Sequence, residues 1–186
     1  WQFAAMGYAG SRRLSGWAQD MLAKAHPEIV FEMSPMLHDE LSDRENPCEL
    51  VALLRQRTDG LERMTKRARE TANPLFVLFD RPQGPGNLGT LLRSADAFGA
   101  AGVLTTGHAA DFYDASIGTL FARPFAALES MQDAFDWMNS LPVRLNVVGT
   151  SAHGTCLLDE VDLTGPTLLL IGNETFGLSK GWKERC

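Results

Sequence analysis

The sequence predicts an α/β fold, with a parallel β-sheet over residues 73–186 and a partial, smaller unit with its linker over residues 1–72. Three observations carry this expectation. Short, nearly continuous apolar runs (LFVLFD, GVLTT, RLNVVG, TLLLIG) recur in the C-terminal part, as strands buried on both faces require. Segments of helical spacing alternate with them, and that alternation is the pattern of a parallel sheet. The texture also changes at Asn73 and Pro74, where the proline ends a helical segment and the first apolar run begins.

The elements follow in order. Residues 1–48 are weakly patterned, with one helix expected in SGWAQDMLAKAH and a break at Ser34 and Pro35. ELVALLRQ suits a helix or a strand, since its length favours neither. TDGLERMTKRARETA reads as a helix supported by the pairs Asp59 with Arg63 and Glu62 with Lys66. After the strand LFVLFD comes the glycine- and proline-dense loop RPQGPG. NLGTLLRSADAFGA then has Leu88, Leu91, Leu92, Ala95 and Phe98 on one side of a helix that Asn87 opens. GVLTT is a second strand, SMQDAFDWMNSL a second helix, and RLNVVGTS and PTLLLIGNE two further strands. Ligands of such sheets sit beyond the carboxyl ends of the strands, so the loops 81–87, 149–154 and 172–178 are the candidates for a site.

Charge and cysteine content narrow the function classes. The net charge of −6 has the wrong sign for a simple nucleic-acid binder, but its distribution is uneven. Residues 51–74 carry six basic side chains (Arg55, Arg57, Arg63, Lys66, Arg67, Arg69) against three acidic ones, whereas the flanking regions are acidic. This strip is either a solvated helix face or a phosphate-contacting surface. Cys48, Cys156 and Cys186 are odd in number and widely spaced, which argues for a reducing compartment such as the cytoplasm and against a zinc site. His26, His38, His108 and His153 lack metal-ligand spacing and read as surface or capping residues, so no metal is expected. No run of about 18 apolar residues spans a membrane, and WQFAAMGYAGSRR lacks the order of a signal peptide.

Two segments carry chemistry. In FDRPQGPGNLGTLLRSADAFGAAGV, Gly89 permits close backbone approach and Arg93 falls near the first turns of the helix, a good place for a phosphate. Asn87 is equally an ordinary cap and Arg93 equally a surface residue. In LLLIGNETFGLS, two glycines flank an acid just past a buried strand, which suits backbone wrapped around a ligand or a plain turn.

Together these segments resemble the SpoU (TrmH) family of RNA ribose methyltransferases, within the SPOUT superfamily. NLGTLLRSADA has that family's Asn, the Gly two further on and the Arg six after the Asn, and IGNETFGL fits its Gly-x-Glu-x-x-Gly-Leu. ASIGTLFARPF matches a weaker signature between them. Three matches in order over residues 75–186 are specific where each alone is not. The resemblance implies a knotted, Rossmann-like SPOUT methyltransferase domain that uses S-adenosylmethionine on a ribose 2′-hydroxyl of rRNA or tRNA, as a homodimer. It implies that Arg93, Asn87 and Glu174 form the catalytic group, with Thr150, Ser151, Gly172, Asn173, Gly177 and Leu178 around the methyl donor. It also makes ELVALLRQ a strand of an N-terminal RNA-binding domain, with Arg63, Lys66 and Arg67 as RNA contacts. The family's third motif, an Ile-Pro-Met segment followed by Ser-Leu-Asn-Val-Ser, does not occur within the 186 residues, and residue 1 is tryptophan, so the sequence reads as part of a longer enzyme.

Two other readings stay open. Gly84, Gly86 and Gly89 have the G-x-G-x-x-G spacing of a dinucleotide-binding loop, although GVLTT ends without the acid such a site needs. A non-catalytic RNA-binding protein of the same fold would fit the missing third motif.

Overall fold

The computed structural model describes residues 1–42, 45–114, 117, 122–154 and 156–186, and they fall into two compact units, Trp1–Arg57 and Thr58–Cys186. The ASIGTLFARPF segment lies largely outside the described residues.

In the first unit, β1 (Phe3–Ala9), β2 (Ile29–Met33) and β3 (Val51–Leu54) form a sheet of order β2-β1-β3. β1 pairs parallel with β2 and antiparallel with β3. Helix α1 (Gly16–Ala25) makes the crossover, capped by Ser15, whose side chain accepts from the Ala18 N–H, and closed by His26 at a left-handed φ of 45°. Helix α2 (Pro35–Ser42) starts at the expected break. β1 and β2 are absent from the sequence reading because neither is a clean alternation: Ala and Gly interrupt β1, and Ile29 and Val30 of β2 are exposed. His38 is a correction: it lies on the buried side of α2 and is only 1% exposed, not on the surface.

In the second unit, α3 (Gly60–Glu70), β4 (Leu75–Asp80), α4 (Pro85–Ala97), β5 (Gly102–Thr106), β6 (Phe125–Leu128), α5 (Met131–Ser140), β7 (Asn146–Gly149), β8 (Thr167–Ile171) and α6 (Lys180–Lys183) follow in turn. The five strands are all parallel in the order β6-β5-β4-β8-β7. The chain steps from β4 through β5 to β6, then resumes at the opposite edge with β7 before β8 inserts beside β4. The connections therefore reverse between β4 and β8, and in open parallel sheets ligands bind at such a reversal. β6 escaped the sequence reading because FAAL is short, half alanine and on the edge.

The second compact unit begins at Thr58 because α3 packs on the larger sheet. Met64 and Ala68 are buried, the backbone of Gly60 lies against Phe125, and the Trp137 indole donates to Thr65 Oγ1 at 3.1 Å. Met64, Phe76, Leu78, Leu104, Trp137, Leu168 and Leu170 belong to one core, with Phe76 and Trp137 edge to face at 5.1 Å. Phe98 does not join it: α4 ends at Ala97, so the ring leaves the helical stripe and is 82% exposed. Among the described residues no helix is long and apolar enough to cross a membrane. Met64→Ala is expected to destabilise the second unit by about 2–5 kcal/mol, the cost of a buried cavity, measurable as a lower denaturant midpoint.

Candidate functional site

The loops expected to cluster do so because β4, β8 and β7 are neighbours running the same way. Their carboxyl ends deliver 81–84, 172–178 and 149–154 to one edge of the sheet. The Thr150 N–H and Oγ1 both donate to Leu170 O at 3.0 Å, which fixes the start of the β7 loop on β8. Gly149 backs on the side chain of Leu178, 2.9 Å from where a Cβ would stand. Thr150, Ser151, Gly172, Asn173, Gly177 and Leu178 thus belong to two adjoining loops, with Thr150 and Ser151 exposed and Asn173 and Leu178 buried.

Glu174 joins the two motif segments. Its carboxylate accepts from Asn87 Nδ2 at 3.1 Å and from the backbone N–H groups of Gln83 and Gly84 at 3.3 Å each. Burial pushes this carboxyl up, but hydrogen bonds from its own backbone, Asn87, Gln83 and Gly84 outweigh that, and the net shift is below the ordinary glutamate value. It is therefore ionised throughout the neutral range. Asn87 does not open the helix. Gly84 is the N-cap and Pro85 the first helical residue, because a proline lacking its N–H loses nothing there. From the first turn the Asn87 side chain reaches across to Glu174 instead. Glu174 thus takes the Gln83 and Gly84 N–H groups just ahead of the first turn, where a phosphate was expected. A pyrophosphate in the dinucleotide mode would have to displace that carboxylate.

Arg93 is exposed two turns along α4 from the entrance. Its Nη2 donates to Thr90 Oγ1 at 3.0 Å and its Nη1 to Ile117 O at 3.4 Å, while the Thr90 hydroxyl donates to Gly86 O. Thr90 orients the guanidinium. Gly89 lets the 117 segment approach: a Cβ there would stand 3.0 Å from Ile117 O.

Asn173 is used up in holding its own loop. Its Oδ1 accepts from the Thr175 and Phe176 N–H groups, its Nδ2 donates to Arg81 O at 2.8 Å, and its backbone pairs in both directions with Gly177. Gly177 sits at φ +66°, where a side chain would strain the turn. A Cβ on Gly172 would collide with the backbone of Gly177 and Leu178, so this glycine is what lets the loop fold back on itself.

Asp80 is the residue the sequence reading missed. Only 3% exposed at the end of β4, it accepts from Thr106 Oγ1 at 3.1 Å, the Ser179 N–H at 2.8 Å and the Arg81 guanidinium. It ties β4, β5 and the far end of the 172–178 loop together beneath Glu174. An acid closing an otherwise apolar strand was the available signal. Among the described residues no cluster of histidine, cysteine or carboxylate side chains could hold a metal ion.

The chain is similar to known proteins. The chain is 42% identical over 197 residues to the 23S rRNA (uridine(2479)-2′-O)-methyltransferase of Streptomyces viridochromogenes, covering 100% of this chain and 66% of that protein. It is 34% identical over 125 residues to the 23S rRNA (guanosine-2′-O-)-methyltransferase RlmB of Coxiella burnetii, covering 64% of this chain and 49% of that protein. The crystal structure of the SpoU methyltransferase AviRb from Streptomyces viridochromogenes, in complex with the cofactor AdoMet, superposes with a TM-score of 0.87 at 40% identity, covering 100% of this chain and 72% of that one. An AdoMet-bound rRNA methyltransferase from Sinorhizobium meliloti gives a TM-score of 0.78 at 25% identity, covering 100% of this chain and 69% of that one. The chain thus spans about two thirds or less of the curated relatives it matches. Residues 74–186, which hold Asn87, Arg93 and the Glu174 loop, match the SpoU rRNA Methylase family, and the chain belongs to it.

Proposed function

We propose that the protein transfers the methyl group of S-adenosylmethionine to a ribose 2′-hydroxyl of ribosomal RNA. The observation that carries this reading is the Glu174 bridge. It joins the loop ending β8 to the start of α4 at the reversal between β4 and β8, and so arranges both motif segments around one edge. The relatives named for 23S rRNA 2′-O-methylation support ribosomal over transfer RNA.

The residues at the β7 and β8 loops fit the donor. Thr150, Ser151, Gly172 and Gly177 are small, and a Cβ added to Gly177 would meet nothing within 4 Å, so backbone is accessible there. Thr150, Ser151, Gly172, Asn173, Gly177 and Leu178 would hold the donor. When bound, S-adenosylmethionine supplies an already activated methyl group, so the chain's own task is positioning. A guanidinium stays protonated, so Arg93 does not take the ribose proton, which passes to solvent water as the methyl group leaves sulfur for the 2′-oxygen. The role of Arg93 is to hold the neighbouring phosphate and to lower the cost of negative charge growing on the 2′-oxygen. Thr90 and Ile117 O aim it; Asn87 and Glu174 fix the helix entrance behind it. Arg63, Lys66 and Arg67 on α3 supply a phosphate-contacting strip, and residues 1–72 act with them in binding RNA. The complete enzyme works as a cytoplasmic homodimer.

Arg93→Ala should lower methyl transfer by about 10²–10³ while donor binding, read by calorimetry, is nearly intact. Arg93→Lys keeps the charge but loses the planar two-pronged contact, and most activity should still disappear. Gly172→Val should show the opposite defect, losing donor affinity because the 172–178 loop no longer closes. Wild-type transfer by Arg93→Ala would remove the mechanism. Charge reversal at Arg63, Lys66 and Arg67 should weaken RNA binding and flatten its salt dependence by about one in slope per lost phosphate contact, with donor affinity unchanged. An unaltered salt slope would leave α3 as a solvated face. Light scattering of the full-length protein should give a dimer; a stable, active monomer would contradict the assembly.

A further inference from the structure

Phe176 is 73% exposed in a loop whose other residues are accounted for. Its neighbour Leu178 is 5% exposed. The Phe176 backbone is immobilised on every side: its N–H donates to Asn173 Oδ1 at 3.0 Å, Gly177 N–H donates to Asn173 O at 2.9 Å, and Asn173 N–H returns a bond to Gly177 O. Two residues earlier, Glu174 is bound to Asn87, Gln83 and Gly84. A large aromatic ring is therefore held out in water on a rigid turn, at the edge where the proposed ribose substrate must lie. Phe98 makes the contrast: it is equally exposed but stands at the far end of α4 from Asn87.

We propose that Phe176 is a stacking platform for a base of the RNA substrate, next to the nucleotide whose ribose is methylated. Every nucleobase offers a π face, so an exposed ring binds it without needing a particular sequence. Because the turn is already fixed by Asn173 and Glu174, stacking costs no ordering of the backbone. The ring contributes to RNA affinity and to the register of the strand, not to the chemical step. This inference rests on the reading that the site takes an RNA ribose.

The test is methyl transfer from labelled S-adenosylmethionine to unmodified 23S rRNA transcript by the full-length protein. Phe176→Ala should raise the KM for RNA roughly 5- to 100-fold, the range of a lost base stack, with kcat and donor affinity little changed. Phe176→Tyr and Phe176→Trp should keep the wild-type KM. Phe176→Leu, similar in bulk but without a π face, should behave like the alanine variant. A wild-type KM for Phe176→Ala overturns the inference and leaves the reaction standing. So does full rescue by leucine, or a loss of self-association or donor binding in the alanine variant, since the ring would then serve a protein contact or the loop itself. Absence of any transfer by the wild type overturns the reaction and the inference with it.

Discussion

A single ionised carboxylate holds two distant stretches of chain in register at the edge of the larger sheet. Glu174 accepts two backbone N–H groups and one side-chain amide from the 83–87 segment. Each of those donors would otherwise have to be met by water or a ligand at the entrance of α4. A helix entrance is an electropositive place, and an acid from within the chain neutralises it. Glu174 thus fills this part of the entrance from within the chain, and the exposed Arg93 guanidinium lies two turns along the same helix. The position of Arg93 relative to the 172–178 loop is then a consequence of where Glu174 pins the helix.

Beneath that bridge lies a second carboxylate with a different task. Asp80 is buried, and burying an acid is costly unless hydrogen bonds compensate. Thr106, the Ser179 N–H and Arg81 supply them. The two acids grip the 172–178 loop from both ends, Glu174 at its start and Asp80 just past Leu178. Asn173 closes the interior of the same loop with four hydrogen bonds and ties it to Arg81 O with a fifth. What the loop presents to solvent, the Phe176 ring above all, is presented from a backbone with little freedom left.

The parallel sheet makes this possible with ordinary means. Adjacent parallel strands end on the same side, so loops that are far apart in sequence become neighbours without any long-range search. The reversal of order between β4 and β8 leaves a cleft between loops that depart in opposite directions. α3 belongs to this unit because its buried stripe, Met64 and Ala68, completes the core under β5 and β6, while Lys66 and Arg69 stay exposed and Arg63 and Arg67 are half-buried.

Four of the five strands of the larger sheet were legible in the sequence: LFVLFD, GVLTT and TLLLI because a strand covered on both faces must be apolar almost throughout, and the half-buried edge strand NVVG because an apolar run there ends in a small-residue loop. Asn87, Gly89, Arg93, Gly172, Glu174 and Gly177 were legible as well, since spacing along one helix and glycine around one turn are local properties. The edge strand β6 and the strands β1 and β2 were not, because partly exposed strands rich in alanine or glycine give no clear period. The partners of the site residues were decided by tertiary structure alone. That Asn87 faces Glu174 rather than capping its helix depends on Pro85 taking the first helical position and on β8 lying beside β4. That Thr90 aims Arg93, and that a buried Asp80 supports the loop from below, depends on strand order, and strand order is fixed by how the whole core packs rather than by any single segment.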